Sequence, residues 1–388
     1  MPSPEVKAKA DELTNGLNSD SERVEALYNF VAKKIKYISL VSLGIGGYEP
    51  HSAEETINNG YGDCKDKIAL LAALLEADGM QTSSVLISPS RQIDPDFPSP
   101  WPFTHVIAVL HLGKEKIWMD PSSAVLPFGM LTYSIRGEPG LVVPQDGAPH
   151  FEATPSDNPI PNLWSEEIEG EIDEHGTLDG TVKITARGDS ELIVRQAFIG
   201  SVESLWPITV QEFVKGIDQR EDKVSNVKIS NPMDTDQPFT VSFRVAKPHF
   251  AEVTMRELRF PLPLAHFDLP PSGEEGFIDM AGGWHRGESE PVRFGPTGKL
   301  NYRLRLSLPV GWSPELPEVV LMKSKGVEYH ATYTRNESYL TVARTFTITR
   351  GHISPVFRGQ YADFRRRVLV DMDRRLSAKL ADSDTNRN

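Results

Sequence analysis

One stretch constrains this chain more than any other: Gly60-Tyr61-Gly62-Asp63-Cys64-Lys65-Asp66-Lys67, running into Ile68-Ala69-Leu70-Leu71-Ala72-Ala73-Leu74-Leu75. It holds the only cysteine of 388 residues. Glycines and an aspartate spell a tight turn, and the apolar run that follows spells a helix. Cys64 therefore sits at or just before a helix N-terminus. Unpaired N–H groups and the positive end of the helix dipole gather there, and both favour a thiolate. On this stretch alone two readings stand, a nucleophile or an inert buried thiol.

The surrounding sequence supplies the setting. Ser19-Asp20-Ser21-Glu22 reads as a capping box, and Val24, Leu27, Tyr28, Val31, Ile35 and Ile38 follow at helical spacing, which predicts a helix over 20–37. A glycine-rich loop, Gly44 to Pro50, lacks the pattern of a phosphate cradle. Ser52-Ala53-Glu54-Glu55 caps a short helix that Gly60 ends, and the Cys64 helix runs to about Asp78-Gly79. Strands are expected at 83–87, 105–112 and 115–119, with a proline-rich loop from Pro89 to Pro102 between the first two.

Cys64 needs a base. A two-residue turn at Gly113-Lys114 pairs Leu112 with Glu115 and places His105 opposite Ser122. Asp120 is then a diagonal neighbour of His105 on the same face. A carboxylate on the far nitrogen of a histidine fixes its tautomer and supports the imidazolium. One hairpin can thus carry both helpers of a cysteine nucleophile: Cys64, His105, Asp120.

That order resembles the transglutaminase-like superfamily, a branch of the papain-like cysteine enzymes. The similarity is closest to bacterial members, through Gly46-Gly47-Tyr48-Glu49-Pro50-His51-Ser52-Ala53, Tyr61 to Lys67, His105-Val106-Ile107 and Asp120-Pro121. It is specific over residues 20–130 and looser over 164–380. The resemblance implies an α+β fold, with a Cys-bearing helix packed on an antiparallel sheet, followed by a mainly β, sandwich-like region. It implies acyl transfer or hydrolysis on peptide or protein amides through a thioester, with no cofactor. It also implies an oxyanion held by the Cys64 N–H and an upstream aromatic side chain. Tyr48 and Tyr61 are the candidates for that donor, Tyr61 having turn packing as an equal alternative, and Trp101 is a further substrate-side candidate. Members of this subfamily usually begin with an export signal and another β-rich domain. If the chain is a fragment of a longer precursor, the resemblance implies a periplasmic or extracytoplasmic place. The competing reading is a non-catalytic binding or assembly module that keeps the fold.

Other residues are read more plainly. Asp63 is expected to shape the turn. Lys65, Asp66 and Lys67 are expected on a solvated face, His51 at the surface, and His111 as a core histidine on the strand face of His105. The remaining histidines lack metal-ligand spacing, so no metal site is expected. A net charge of −13 argues against nucleic acid as a partner, and no apolar run approaches the ~20 residues of a membrane-spanning helix.

Expected domains are residues 1–145, a proline-rich linker at 146–163, a β-rich domain at 164–380 and a disordered tail at 381–388. Within the β-rich domain the expectations are a hairpin over 169–184 and a helical stretch over 190–217 broken at Pro207. Further strands are expected at 224–229, 239–245, 300–308 and 340–349, with a closing helix near 361–380.

Overall fold

The protein is described here by a computed structural model. It describes residues 2–39, 47–89, 93–94, 96, 99, 101–215, 223–264, 269, 277–278, 284–285, 291–336 and 339–380. The chain forms two compact units, Met1–Ile160 with Met233–Gln237, and Pro161–Pro232 with Pro238–Asn388. The expected tail at 381–388 lies outside the described residues, as do residues 44–46 of the glycine-rich loop and much of the proline-rich loop.

The first unit is α+β. Its elements are α1 (Pro4–Thr14), α2 (Asp20–Lys34), β1 (Lys36–Tyr37), α3 (Ala53–Asn59), β2 (Tyr61–Gly62) and α4 (Cys64–Ala77). The strands β3 (Thr82–Ile87), β4 (His105–Leu112), β5 (Glu115–Met119), β6 (Pro139–Val143) and β7 (His150–Ala153) follow. The last five form one antiparallel sheet in the order β5-β4-β3-β6-β7. One sheet face packs Val106, Ala108, Leu110 and Met119 against Leu27, Val31, Leu71 and Leu74 of α2 and α4. The other face buries Val85, Ile107, Val109, Trp118 and Val142 with Leu131 and Ile135. Strict apolar alternation is absent from β4 because both of its faces are covered.

Two expectations shift here. The helix predicted to reach residue 37 stops at Lys34: Ile35 is extended, and Tyr37 lies in β1, paired in parallel with Gly62. The stretch read as linker carries β7, whose His150 and Phe151 pair with Val142 and Leu141.

The second unit is built on an eight-stranded sheet. Its elements are β8 (Asn162–Ile172), β9 (Leu178–Arg187), α5 (Asp189–Ile199), α6 (Trp206–Lys215), β10 (Lys223–Ile229), β11 (Phe239–Lys247), β12 (Glu252–Val253) and β13 (Glu257–Pro261). Next come β14 (Phe277–Ile278), β15 (Trp284–His285), β16 (Val292–Arg293), β17 (Gly298–Ser307), β18 (Trp312–Pro314) and β19 (Val320–Ser324). The chain continues through β20 (Val327–Arg335), β21 (Leu340–Ile348), β22 (His352–Ile353), α7 (Arg358–Met372) and β23 (Arg375–Leu380). The large sheet runs β10-β11-β9-β8-β17-β21-β20-β19, and a four-stranded sheet runs β12-β13-β23-β18. Both sheets and α7 share one core, with Ile168, Phe243, Tyr302, Phe346, Phe260, Leu376 and Phe364 inside it.

The closing helix ends at Met372, not near residue 380. Residues 375–380 form β23 instead, because Leu376 and Ala378 alternate into the core between β13 and β18. The break in the middle helical stretch precedes Pro207, which sits in the first turn of α6, where its missing N–H costs nothing.

A buried polar network fastens α7 to the sheet. Asp371 accepts hydrogen bonds from Tyr329 (2.6 Å) and Tyr333 (2.7 Å), and Arg344 lies 3.4 Å from the same carboxylate. Glu166 on β8 is buried with less help: Trp164 Nε1 donates to it at 3.1 Å. Burial raises its carboxyl to about 7 against that bond's opposing effect. The folded state thus holds a proton that the unfolded chain releases near 4.5, so stability falls as pH rises through that window. Urea denaturation at pH 8 should find Glu166→Gln more stable than the parent by roughly 1–3 kcal/mol, with the difference gone at pH 4.

Candidate active site

The site begins with how α4 starts. Asp63 is the N-cap residue, accepting from the N–H groups of Lys65 and Asp66, while Asp66 accepts from the Asp63 N–H, closing a capping box. Asp63 shapes the turn, as expected. Gly62 is required by close approach: a Cβ there would lie 2.6 Å from the Asp66 Cβ. Cys64 is the first helical residue and is half-buried.

The expected solvated face is instead interior. Asp66 and Lys67 are 1% and 0% exposed. Asp66 accepts from the His51 backbone N–H at 2.8 Å and contacts its ring Nδ1 at 3.1 Å, so His51 is held against α4 while its ring stays partly exposed. Lys67 donates to the carbonyls of Ile35 (2.7 Å) and Ala32 (3.3 Å), capping the C-terminus of α2. Asp66 points back onto the turn preceding α4, while Lys67 reaches the end of α2, directions that charge alone conceals. His111, expected in the core, is exposed near the hairpin tip, paired across from Lys116.

The β4–β5 hairpin has the register expected, Leu112 opposite Glu115. It brings His105 Nε2 to 2.9 Å from Asp120 Oδ2. The other carboxylate oxygen accepts from the Ser122 N–H at 3.0 Å. Tyr28 of α2 shares its hydroxyl proton between the carbonyls of Asp120 (3.1 Å) and Leu126 (3.0 Å), fixing the strand end that carries the carboxylate.

Electrostatics follow from this packing. Burial opposes charge on His105. The Asp120 carboxylate, by charge and hydrogen bond, together with a hydrogen bond to Cys64, outweighs it and lifts the imidazole to about 10. Burial also works against ionised Asp120, but His105 and the Ser122 bonds hold its carboxyl below the ordinary value. Because Nε2 serves Asp120, Nδ1 is the nitrogen left for sulfur.

Sequence reasoning missed Tyr37. Its side chain is 42% exposed; the part that is buried, then the charges of Cys64 and Asp63 and a hydrogen bond to Cys64, raise the phenol to about 12. It stays a donor at any physiological pH. Of the aromatics named from sequence, Tyr48 is 91% exposed, Trp101 is 72% exposed, and Tyr61, 40% exposed, stands on the neighbouring rung of the β1–β2 pair. The signal for Tyr37 was obscured because an apolar spacing carried the predicted helix through it.

Residues 7–92 match the model of the transglutaminase-like superfamily. That span, within the first unit, is what is similar to the superfamily. The matched span includes Tyr37, Cys64 and Lys67 and ends before His105 and Asp120. The chain is also similar to the crystal structure of a candidate protease from Parabacteroides distasonis, with a TM-score of 0.53 and 12% identity. That match covers 97% of this chain and 55% of the other, so the chain spans about half the length of that protein. At this identity the likeness is one of fold. A search of curated proteins returned no match. Among the described residues no cluster of histidine, cysteine and carboxylates could hold a metal ion, and no helix is long and apolar enough to cross a membrane.

Asp120→Asn should release His105. Its ring titration, followed by NMR, should fall well below 10, since only Cys64 then opposes burial. In the parent the raised imidazole stabilises the fold fully below 6.5, and this contribution is lost as pH rises through 10. The variant should lack that slope. An unchanged ring titration would show that the carboxylate does not govern His105.

Proposed function

We propose that the first unit is a cysteine-dependent acyl-transfer enzyme or hydrolase acting on peptide or protein amides, with Cys64 as nucleophile, His105 as acid and base, and Asp120 as its orienting carboxylate. The observation that carries the reading is the His105–Asp120 pair at 2.9 Å, its imidazole raised by that carboxylate and by Cys64, the first residue of α4. The family match and the fold shared with a candidate protease add support.

In the reaction, an imidazolium beside Cys64 supports a thiolate. Sulfur attacks the amide carbonyl carbon, and the carbonyl electrons move to oxygen. The Cys64 N–H is one donor for that oxyanion, as the first N–H of a helix has no carbonyl four residues back. Tyr37, whose phenol interacts with Cys64, joins Tyr48 and Tyr61 as a candidate for the second and is the one we favour. When the tetrahedral intermediate collapses, the C–N bond breaks and His105 gives its proton to the departing amine. A thioester remains. Neutral His105 then takes a proton from water, or from an acceptor amine, as that nucleophile attacks. The C–S bond breaks, releasing a carboxylic acid or a new amide and restoring Cys64.

The test is turnover of a library of chromogenic peptide amides, with and without an added primary amine. Cys64→Ser should lower kcat/KM by about 10³-fold or more without unfolding the protein, because a serine hydroxyl ionises far less readily and needs a differently placed base. Tyr37→Phe should lower kcat by about 10–10³-fold with little change in KM, as for loss of one oxyanion donor. His105→Ala should abolish stoichiometric labelling of Cys64 at neutral pH. If Cys64→Ser keeps parental turnover, Cys64 is not the nucleophile; if the parent turns over none of the amides, the non-catalytic binding module becomes the reading.

A further inference from the structure

The geometry points to Lys67 as a positioning residue whose ammonium, by clamping the end of α2 to the nucleophile's own helix, sets the Tyr37 hydroxyl against Cys64. The inference rests on the proposed role of Tyr37 and concerns what places that side chain.

Three observations carry it. First, Lys67 is fully buried, and its Nζ bonds the carbonyls of Ile35 and Ala32 at 2.7 and 3.3 Å. Those carbonyls belong to the last turn and the C-cap of α2, where the helix dipole is negative and unpaired acceptors gather. Second, Ile35 is followed within two residues by Tyr37. The intervening chain is not free to drift. Lys36 N donates to Gly60 O at 2.8 Å and Ile38 N donates to Gly62 O at 3.0 Å. Tyr37 is therefore gripped by the turn before Cys64 on one side and by Lys67 on the other. Third, Tyr37 and Gly62 share a rung and thus a face of the β1–β2 pair, and on that face the missing Gly62 side chain leaves room for Asp66 of α4. Tyr37 can reach sulfur because β1 sits this close to the helix start.

A buried lysine is an expensive clamp, since an ammonium taken out of water needs compensation. Burial lowers Lys67 to about 8, against the attraction of Asp120. Among the described residues the other titratable groups around it are Tyr28 from α2, the partly exposed Tyr37 from β1, His105 from β4, Asp63 at the cap of α4, and Cys64 and Asp66 on α4 itself. Asp120 is the one whose charge bears on Lys67. Losing the proton weakens both carbonyl bonds, because a neutral amine is the poorer donor. The placement of Tyr37 then loosens in mildly alkaline solution, well before Tyr37 itself or His105 titrates.

The test needs no substrate. Carbamidomethylation of Cys64 by iodoacetamide is timed at pH 7 in the parent, Tyr37→Phe, Lys67→Met and the double variant. Removing one hydrogen bond to sulfur should change the rate by about fivefold. Lys67→Met should give a change of the same sign and similar size, and the double variant should go no further than Tyr37→Phe alone. Rate changes that multiply in the double variant would overturn the proposal. Should Lys67→Met fail to fold, the parent and Tyr37→Phe proteins decide by themselves. Their rate ratio should hold near fivefold at pH 7 and fall toward one above about 8, as Lys67 discharges. A ratio constant from pH 6.5 to 9.5 overturns the proposal. Absence of turnover on every amide would sink the proposed chemistry while leaving this result standing, so the two failures are separable.

Discussion

The first unit depends on the start of α4. A helix beginning inside a protein exposes four N–H groups that must be satisfied. Here Asp63 and Asp66 satisfy two helix N–H groups and the cap's own N–H in a reciprocal box, and Gly62 lets the strand pass close enough for that box to form. Cys64 is the first residue of the helix inside this arrangement. The helix N-terminus thus does two things at once. It fixes the sulfur in space and leaves a donor beside it.

Around that point the interior is unusually rich in charge. His105 and Asp120, Lys67 and the hydroxyl of Tyr28 lie within one small region, each with a partner. Buried charges of this kind add little to stability when compared with apolar packing of equal volume, and removing one partner is costly. What they supply is a single arrangement. An apolar core tolerates sliding by a fraction of an ångström, whereas a carboxylate held to an imidazole and an ammonium held to two carbonyls do not. The sheet beneath is ordinary by comparison, with Val106, Ala108, Leu110 and Met119 giving α2 and α4 an apolar floor.

Much of this was legible in the sequence. The capping boxes at Ser19 and Ser52 and the β4–β5 register follow from local rules, and the register alone brings His105 to Asp120. What local rules could not supply was direction. Lys67 and Asp66 read as surface residues because charge is a good guide to exposure until a helix end nearby offers unpaired carbonyls or N–H groups. Tyr37 was hidden by an apolar period that ran on past the end of α2, where tertiary pairing with β2 turned the chain into a strand. The same conflict recurs at residues 375–380, where a gap between two strands outweighs a charged, helix-like pattern.

The eight-stranded sheet of the second unit has a seam. On one side β8, β9, β11 and β10 are joined antiparallel, and on the other β17, β21, β20 and β19 are joined likewise. The joint between them is the parallel pairing of β8 with β17, which sets Asn162 beside Gly298. Each half is made largely of near-neighbour hairpins, which form quickly, but the joint links positions far apart along the chain and must await loop closure. On the ribosome the first half emerges with β8 as an unsatisfied edge, exposed to wrong partners until β17 has been made. The order of synthesis thus gives this unit a vulnerable interval, whose length is set by the rate of translation from residue 172 to residue 307.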